Sequence, residues 1–296
     1  MRTQVKADML LVLVTLCWGV SYYMIDLCLV EMDTFNLNAF RFLGAFIVAA
    51  VFTLPKLKTV NKTTLKYAFF IGLSLVFVYI GATFGVKYTS LSNSGFLCAL
   101  SVVFTPLLGI IIFKQKPDKK MVFVVLVCLV GIALMSLNKD MKPALGDFFC
   151  LLCAFSYAVD LIITEKAVSK EEVNAFQLGV FQLGFTGVFM LILSFIFEEP
   201  CLPSSGIVWG SALFLAVFCT GVAFIAQAIA QQYTSATHVG VIFTLEPVFA
   251  GIVAFLLAGE ILLPRAYFGA FLLLASLLIM EIDVKTLFNK KAKSLE

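Results

Sequence analysis

Ten long and almost uncharged apolar blocks follow one another along this chain, and they restrict its fold more than any other feature. A stretch of about 20 apolar residues crosses a bilayer as one helix. We therefore expect membrane spans near residues 8–26, 35–54, 65–84, 93–113, 120–137, 145–164, 174–196, 207–229, 237–257 and 266–282. Hydrophobic residues make up 61% of the chain and charged residues 13%, which excludes an ordinary soluble domain. The blocks do not alternate with period two, so a closed β-barrel is excluded and the fold class is an all-α membrane protein.

Lysine and arginine predict which side of the membrane each loop faces. With the N-terminus inside, 16 of the 21 basic residues lie on the cytoplasmic side and four lie outside, at Lys87, Lys139, Lys142 and Arg265. Cytoplasmic loops accumulate basic residues, so we expect both termini in the cytoplasm and a multi-pass protein of the cytoplasmic (inner or plasma) membrane. The basic residues are spread over loops, which argues against a nucleic-acid partner. Monomer and homodimer both stay open.

Two halves of the sequence contain matching motifs. Tyr-Thr-Ser occurs at residues 88–90 and 233–235, and Pro106 and Pro247 lie 141 positions apart. Phe40-Arg41-Phe42 lies opposite Phe181-Gln182-Leu183 at the same offset of 141. These matches predict two repeats, residues 1–142 with helices 1–5 and residues 143–296 with helices 6–10. Because five is odd, the second repeat starts on the opposite side of the membrane and runs inverted, which is typical of secondary transporters.

Several motifs carry a resemblance to a known family. The segments SGFLCALSVVFTPLL at 94–108 and HVGVIFTLEPVFAGIVAFLLAGE at 238–260 resemble paired EamA domains of the drug/metabolite transporter superfamily, as do Trp18-Gly19 and the arginine at position 41. The resemblance covers nearly the whole chain. It implies ten helices, five plus five, and transport of small metabolites, amino acids, sugars, nucleobases or organic cations, mostly outward.

Glu246, followed directly by Pro247, is the most unusual residue of the apolar blocks. It lies nine residues into helix nine, about 14 Å deep in a hydrocarbon core of about 30 Å. An ionised carboxylate costs about 2.5–3.5 kcal/mol at this depth, so it should face a cavity or a partner. Glu246 would carry a proton or contact a cationic part of a substrate, with Pro247 and its counterpart Pro106 as hinges. The alternative is a glutamate that only fastens helix nine to a neighbour.

Other polar and aromatic residues complete the candidate site. Arg41, about 9 Å deep, could pair with Glu246, gate the outer mouth or bind a substrate carboxylate, or extend to the interface; Gln182 is its repeat equivalent. Asp160 either lines the inner vestibule or pairs with Lys166. Further candidates are the aromatic residues Trp18, Tyr22 and Tyr157, which could stack on an amine or simply pack, and His238, which could gate the cytoplasmic mouth.

Missing motifs restrict the function further. The chain lacks a phosphate-binding Gly-x-x-x-x-Gly-Lys-Ser/Thr loop and has one histidine and one Cys-x-x-Cys, at residues 150–153. We therefore expect no enzyme, no cofactor and no metal. The expected function is a secondary active transporter that exports an amino acid or a related zwitterion or amine by alternating access. Its energy would come from a gradient, such as that of protons, and not from ATP. A lipid-carrier flippase and a non-transporting membrane protein are the alternatives.

Overall fold

Helices make up all the regular secondary structure in the described part of the chain. The computed structural model describes residues 2–113, 119–136, 144–261 and 263–281. Its helices are α1 (Arg2–Cys28), α2 (Thr34–Leu57), α3 (Lys62–Tyr88), α4 (Leu91–Cys98), α5 (Ser101–Phe113), α6 (Lys119–Ser136), α7 (Leu145–Val168), α8 (Ala175–Phe197), α9 (Gly206–Phe214), α10 (Ala223–Ala230), α11 (Ala236–Phe243), α12 (Glu246–Leu257) and α13 (Pro264–Glu281), with a π-helical segment at Leu215–Val222. The expected all-α fold class is confirmed, and the expected boundary near residue 142 lies outside the described residues.

Eight spans in the described residues are long and apolar enough to cross a membrane. Five are the single helices α1, α2, α3, α7 and α8, and three are composite: α4 with α5, α9 with the π-helical segment and α10, and α11 with α12. The expected spans at 120–137 and 266–282 are helical as α6 and α13, but they are not among the eight. A multi-pass membrane protein is thus confirmed, while the count of ten spans stays a prediction.

The repeated Tyr-Thr-Ser tripeptide marks the starts of two equivalent helices. The last residue of the tripeptide caps the helix that follows it: Ser90 caps α4 and Ser235 caps α11. Each serine hydroxyl accepts a hydrogen bond from the amide three residues later, at 3.2 Å for Ser90 and 3.3 Å for Ser235. Such a cap satisfies one of the free amides at a helix start. Both capped helices are eight residues long and both then break, at residues 99–100 and 244–245.

The break places the two prolines differently. Pro247 is the second residue of α12, where its missing amide costs nothing, whereas Pro106 lies inside α5 as its sixth residue. The helix starts after the breaks, Ser101 and Glu246, are 145 positions apart and not 141. The equivalent of Glu246 in the first half is therefore Ser101, and the alignment by prolines is off by about one turn within this span.

Glycines bring the helices of the two halves into close contact. A Cβ atom at Gly81 of α3 would lie 2.5 Å from the backbone nitrogen of Cys153 in α7, and one at Gly19 of α1 would lie 2.4 Å from Cβ of Phe249 in α12. Small residues at such crossings let helix backbones approach closely within a membrane. The contact at Gly19 also fixes the neighbouring Trp18 at the centre of the bundle.

Acidic side chains hold the starts of several helices from across the bundle. Glu198 accepts hydrogen bonds from the amides of Phe35 (2.9 Å) and Asn36 (2.7 Å) in α2, and Glu260 accepts one from Leu91 in α4 (2.9 Å). A carboxylate is favourable there because a helix start carries partial positive charge. The glutamate of the Ala-Gly-Glu segment at 258–260 thus holds the start of α4.

Glu31, in the turn after α1, makes a similar contact before α9. Its carboxylate accepts hydrogen bonds from the Ser204 amide and hydroxyl and from the Ser205 amide, at 2.7, 2.9 and 3.2 Å. Hydrogen bonds from Ser205 and Ser204 lower the pKa of Glu31 to about 2. We call this side of the bundle the Glu31 end and the opposite side, where α1 starts, the Asp8 end.

Candidate functional site

A small central cavity of about 50 Å³ lies between the two halves of the chain. The first half contributes α1, α3 and the broken α4–α5 span, and the second half contributes α7, α10 and the broken α11–α12 span. The lining residues are Trp18, Ser21, Tyr22, Ile25, Val78, Tyr79, Ala82, Cys98, Ala99, Ser101, Cys153, Tyr157, Phe224, Phe243 and Glu246. Both helix breaks therefore border the same space.

Glu246 is the only charged side chain in this lining, judged from the residues that the structure describes. It is the first residue of α12, so the break in the helix puts its carboxylate at a helix start. The Tyr22 hydroxyl donates a hydrogen bond of 2.7 Å to Oε1 of Glu246. The structure thus places Glu246 inside the bundle and beside Tyr22, as the cost of a carboxylate in lipid requires.

Aromatic rings form much of the wall around Glu246. Trp18 packs against Phe243, Phe224 and Tyr157, with ring centroids 4.9, 5.3 and 5.7 Å apart, and Tyr157 stacks on Phe243 at 5.9 Å. The aromatic wall expected from Trp18, Tyr22 and Tyr157 is therefore assembled. Phe224 and Phe243 were missed, because phenylalanine is common in every apolar block of this chain.

Hydrogen bonds to the second half fix the orientation of two of these rings. The Trp18 indole nitrogen donates to the carbonyl of Cys219 at 2.9 Å, and the Tyr157 hydroxyl donates to Oε1 of Gln227 at 3.0 Å. Cys219 lies in the π-helical segment, where the wider winding changes which carbonyls are free for other donors. Buried tryptophan and tyrosine normally need such partners.

Arg41 does not line the cavity. It is completely buried, its Nε donates to the Thr220 hydroxyl at 2.8 Å, and its guanidinium lies 4.6 Å from the ring centroid of Tyr79, which does line the cavity. Neither terminal nitrogen has a hydrogen-bond partner among the described residues. The alternative of extension to the interface is wrong, because contacts with Thr220 and Tyr79 hold the side chain inside.

Asp160 and Gln182 also lie outside the cavity lining. Asp160 is 1% exposed and lies against the amide of Gln227, and in the described residues it forms no ion pair with Lys166. The expected pairing with Lys166 is thus wrong, because Asp160 points to α10 and not to the helix end. Gln182 is 3% exposed on α8, and its backbone carbonyl accepts a hydrogen bond from Thr186 at 2.8 Å.

His238 connects two helices at the Asp8 end. Its Nε2 lies 3.2 Å from Oδ1 of Asp8, so the start of α11 is joined to α1. Both side chains are largely buried, with 14% and 18% of their surface exposed. The contact lies on the side of the bundle where the sequence predicts a gate.

Both cysteines of the Cys-x-x-Cys segment at residues 150–153 lie on one helix, α7. Cys153 lines the cavity together with Cys98 of α4, whereas Cys150 faces Ser94, with 3.4 Å between sulfur and oxygen. Within the described ranges, no group of three histidine, cysteine or acidic residues is arranged to hold a metal ion.

Comparison with known proteins identifies the family to which this chain belongs. A family model described as the EamA-like transporter family matches the chain twice, over residues 5–137 and 144–282. The chain belongs to the EamA-like transporter family. The resemblance drawn from the sequence is therefore confirmed, and this EamA-like protein is a multi-pass membrane protein of a transporter family.

Individual relatives agree with this assignment. The EamA-like chain is 31% identical to an uncharacterized transporter of Archaeoglobus fulgidus over 94% of its own length and 86% of that protein. An uncharacterized transporter of Clostridium kluyveri is 24% identical over 85% of this chain and 84% of its own length. A solved crystal structure superimposes with a TM-score of 0.77 over 96% of this chain and 99% of the other, at 14% identity, and thus shares the fold.

Proposed function

We propose that this EamA-like protein is a secondary active transporter that carries a small molecule through the central cavity by alternating access. The observation that carries the proposal is the carboxylate of Glu246, the only charged side chain among the described residues that line the central cavity between the two halves. A carboxylate at this place is stable only when it meets a proton, a cation or a donor such as Tyr22. A proton neutralises Glu246, whereas a cation or the Tyr22 donor leaves it ionised, and a transport cycle can use this difference.

The two matched segments support the proposed architecture of two inverted repeats with ten spans. In such transporters, the site lies near the membrane midplane at the repeat interface and includes broken helices. Here the cavity borders both breaks, one in each half, at residues 99–100 and 244–245. Rocking of one half against the other would use these breaks as hinges, with Pro247 at the start of α12 and Pro106 one turn further along α5.

Orientation and gating follow from the charge distribution of the loops. We place the Asp8 end and both termini in the cytoplasm, because the predicted loops on that side hold most of the basic residues. The His238–Asp8 contact then closes the cytoplasmic mouth, and the Glu31 end closes the outer mouth. The protein would sit in the cytoplasmic membrane and export its substrate.

Proton coupling follows from a shared site. A proton and a substrate cation cannot both neutralise one carboxylate, so binding of one releases the other. The proton and the substrate would therefore cross the membrane in opposite directions. The titratable groups that face Glu246 are Tyr22, Tyr79, Cys98, Cys153 and Tyr157, all of which line the same cavity. None of them carries a fixed charge that would replace Glu246.

The flippase alternative would need a lateral opening from the bilayer to Glu246. A second, apolar cavity of about 340 Å³ does lie between α1, α2 and the π-helical and α10 segments, and it includes Ala45 and Gly221. None of its lining residues belongs to the central cavity, and it offers almost no polar surface to a lipid headgroup. The central cavity therefore favours a small soluble substrate.

Flux measurements test the proposal. The purified full chain is reconstituted in liposomes, a pH gradient is imposed, and proton movement is followed while candidate amines and amino acids are added. Substrate-dependent proton flux that disappears in Glu246→Gln, and persists in Glu199→Gln on the exposed surface, is the expected result. The same flux in Glu246→Gln and wild type would overturn the proposal.

A further inference from the structure

The central cavity offers one full charge to a substrate, and that charge is negative. Glu246 supplies it, and the other described lining residues are uncharged polar, thiol, aliphatic or aromatic. An anionic group of a substrate would therefore lie in an apolar region next to a like charge. A cationic group would meet an opposite charge at hydrogen-bonding distance.

The stronger hydrogen-bond donors of the lining are already in use. Ser21 donates to the carbonyl of Trp18 at 2.7 Å, and Trp18, Tyr22 and Tyr157 donate to the Cys219 carbonyl, Glu246 and Gln227. The remaining side-chain donors are two hydroxyls, of Tyr79 and Ser101, and two thiols, of Cys98 and Cys153. A carboxylate buried with so few donors loses more hydration than it regains.

Among the described residues, Arg41 is a buried cation next to this region that does not line the cavity. The guanidinium lies against the ring of Tyr79 and donates to Thr220, and it is absent from the cavity lining. A substrate carboxylate could reach Arg41 only if Tyr79 moved. The zwitterion expected from the sequence would need such a movement, whereas a cation would need none.

Aromatic faces complete the chemistry that favours a cation. Six lining residues carry aromatic rings: Trp18, Tyr22, Tyr79, Tyr157, Phe224 and Phe243. Ring faces attract cations, most strongly in desolvated sites, and such walls recognise quaternary ammonium groups. The rings also accept the apolar body of a ligand, which a wall of small polar residues would not do.

We propose that the central cavity selects organic monocations, amines or quaternary ammonium ions with an apolar group, over zwitterions and anions. This inference rests on the proposed function of the same site and narrows its substrate class. The cation binds to the Glu246 carboxylate and to the aromatic wall, and it releases the proton that Glu246 held. Arg41 contributes no contact to the substrate.

Binding measured through Trp18 tests the proposal directly. The chain has two tryptophans, so the Trp209→Phe variant leaves Trp18 in the cavity wall as the only tryptophan emitter. Four ligands share a phenyl group and carry different charges: phenethylamine and phenyltrimethylammonium are cations, phenylalanine is a zwitterion and 3-phenylpropionate is an anion. Each is titrated against the detergent-solubilised full chain, and Trp18 emission is followed.

Both cations are expected to give saturable changes, with affinities at least about tenfold above those of phenylalanine and 3-phenylpropionate. Glu246→Asp keeps the charge and should keep the preference, whereas Glu246→Gln should remove it; unfolding curves show whether each variant is folded. If phenylalanine or 3-phenylpropionate binds as tightly as phenethylamine, or neither cation binds, the inference is overturned.

The same ligands separate this inference from the transport proposal. Cation binding without gradient-driven flux would support the cation site and overturn transport. Glu246-dependent flux of phenylalanine, without flux of either cation, would support transport and overturn the cation preference.

Discussion

The hydroxyl of Tyr22 donates a 2.7 Å hydrogen bond to the carboxylate of Glu246, across 224 positions of sequence. Tyr22 belongs to α1 and Glu246 starts α12, so this contact links the first matched segment to the second inside the cavity. Helix α1 also packs on α12 at Gly19, which keeps the two residues in register. A movement that opens the cavity between α1 and α12 must therefore break or replace this hydrogen bond.

Removal of the Tyr22 hydroxyl should destabilise the protein. Tyr22→Phe keeps the ring but leaves the buried carboxyl group of Glu246 without this donor, and the loss of one partner of a buried hydrogen bond costs about 1–3 kcal/mol. We expect the free energy of unfolding to fall by an amount in that range, measured by equilibrium unfolding in mixed micelles. Tyr23→Phe, one position along α1, is the matched control. An equal loss in both variants would show that the hydrogen bond contributes nothing.

Arg41 should tolerate an apolar substitute better than a shorter cation. Both terminal nitrogens lack partners in the described residues, so Arg41→Met removes a poorly compensated buried charge. Arg41→Lys keeps the charge but loses the planar stacking on Tyr79. We expect Arg41→Met to unfold at a higher temperature than Arg41→Lys and to keep cation binding. A loss of cation binding in Arg41→Met would place Arg41 in the substrate site.

The close contact at Gly81 should not accept a methyl group. A Cβ atom there would lie 2.5 Å from two backbone atoms of α7, which cannot yield as a flexible side chain would. Gly81→Ala should therefore cost about 1–3 kcal/mol of unfolding free energy, as overpacking usually does. At Gly210 no atom lies within 4 Å of the added carbon, so Gly210→Ala should be neutral or stabilising. Equal stability of the two variants, measured by thermal unfolding, would contradict this packing.

Acid should remove the contribution of Glu31 to stability. Hydrogen bonds from Ser205 and Ser204 hold the pKa of Glu31 at about 2 in the folded protein, below the ordinary value of 4.5. Because the folded pKa is the lower one, this contribution is complete above pH 4.5 and is lost as the pH falls towards 2. Glu31→Gln should melt below wild type at pH 7, and the difference should shrink as the pH falls through this window.

The exposed Glu199→Gln provides the control for the acid experiment. Its melting temperature should follow wild type across the same pH range. A constant difference between Glu31→Gln and wild type at every pH would mean that the carboxylate charge has no part in the contact.

The sequence predicted the class of the fold and the depth of its most important residue. Bilayer thickness sets the length of each helix, so apolar runs reveal membrane spans without any tertiary information. The cost of a carboxylate in lipid likewise requires that Glu246 face the interior. The repeated Tyr-Thr-Ser tripeptide correctly marked two corresponding helix starts, although the alignment by prolines placed Thr105 and not Ser101 opposite Glu246.

Some contacts could not be predicted because the sequence does not show how each helix is rotated. In a soluble helix, polar residues mark the outer face, but here both lipid-facing and buried faces are apolar. Tyr79, Phe224 and Phe243 therefore resembled many other aromatic residues of the chain until their helices were packed. For the same reason, the sequence allowed an ion pair between Asp160 and Lys166, whereas in the structure Asp160 faces Gln227.

The amino-acid order is enough to predict that the chain spans a membrane through apolar helices and that Glu246 is held away from lipid, since both follow from the free energy of single groups in a bilayer. Helix packing, in contrast, sets which side chains share the cavity with Glu246 and brings Arg41 against Tyr79, outside the lining. Those outcomes depend on helix rotation and on close contacts such as that at Gly19, which no local run of residues specifies.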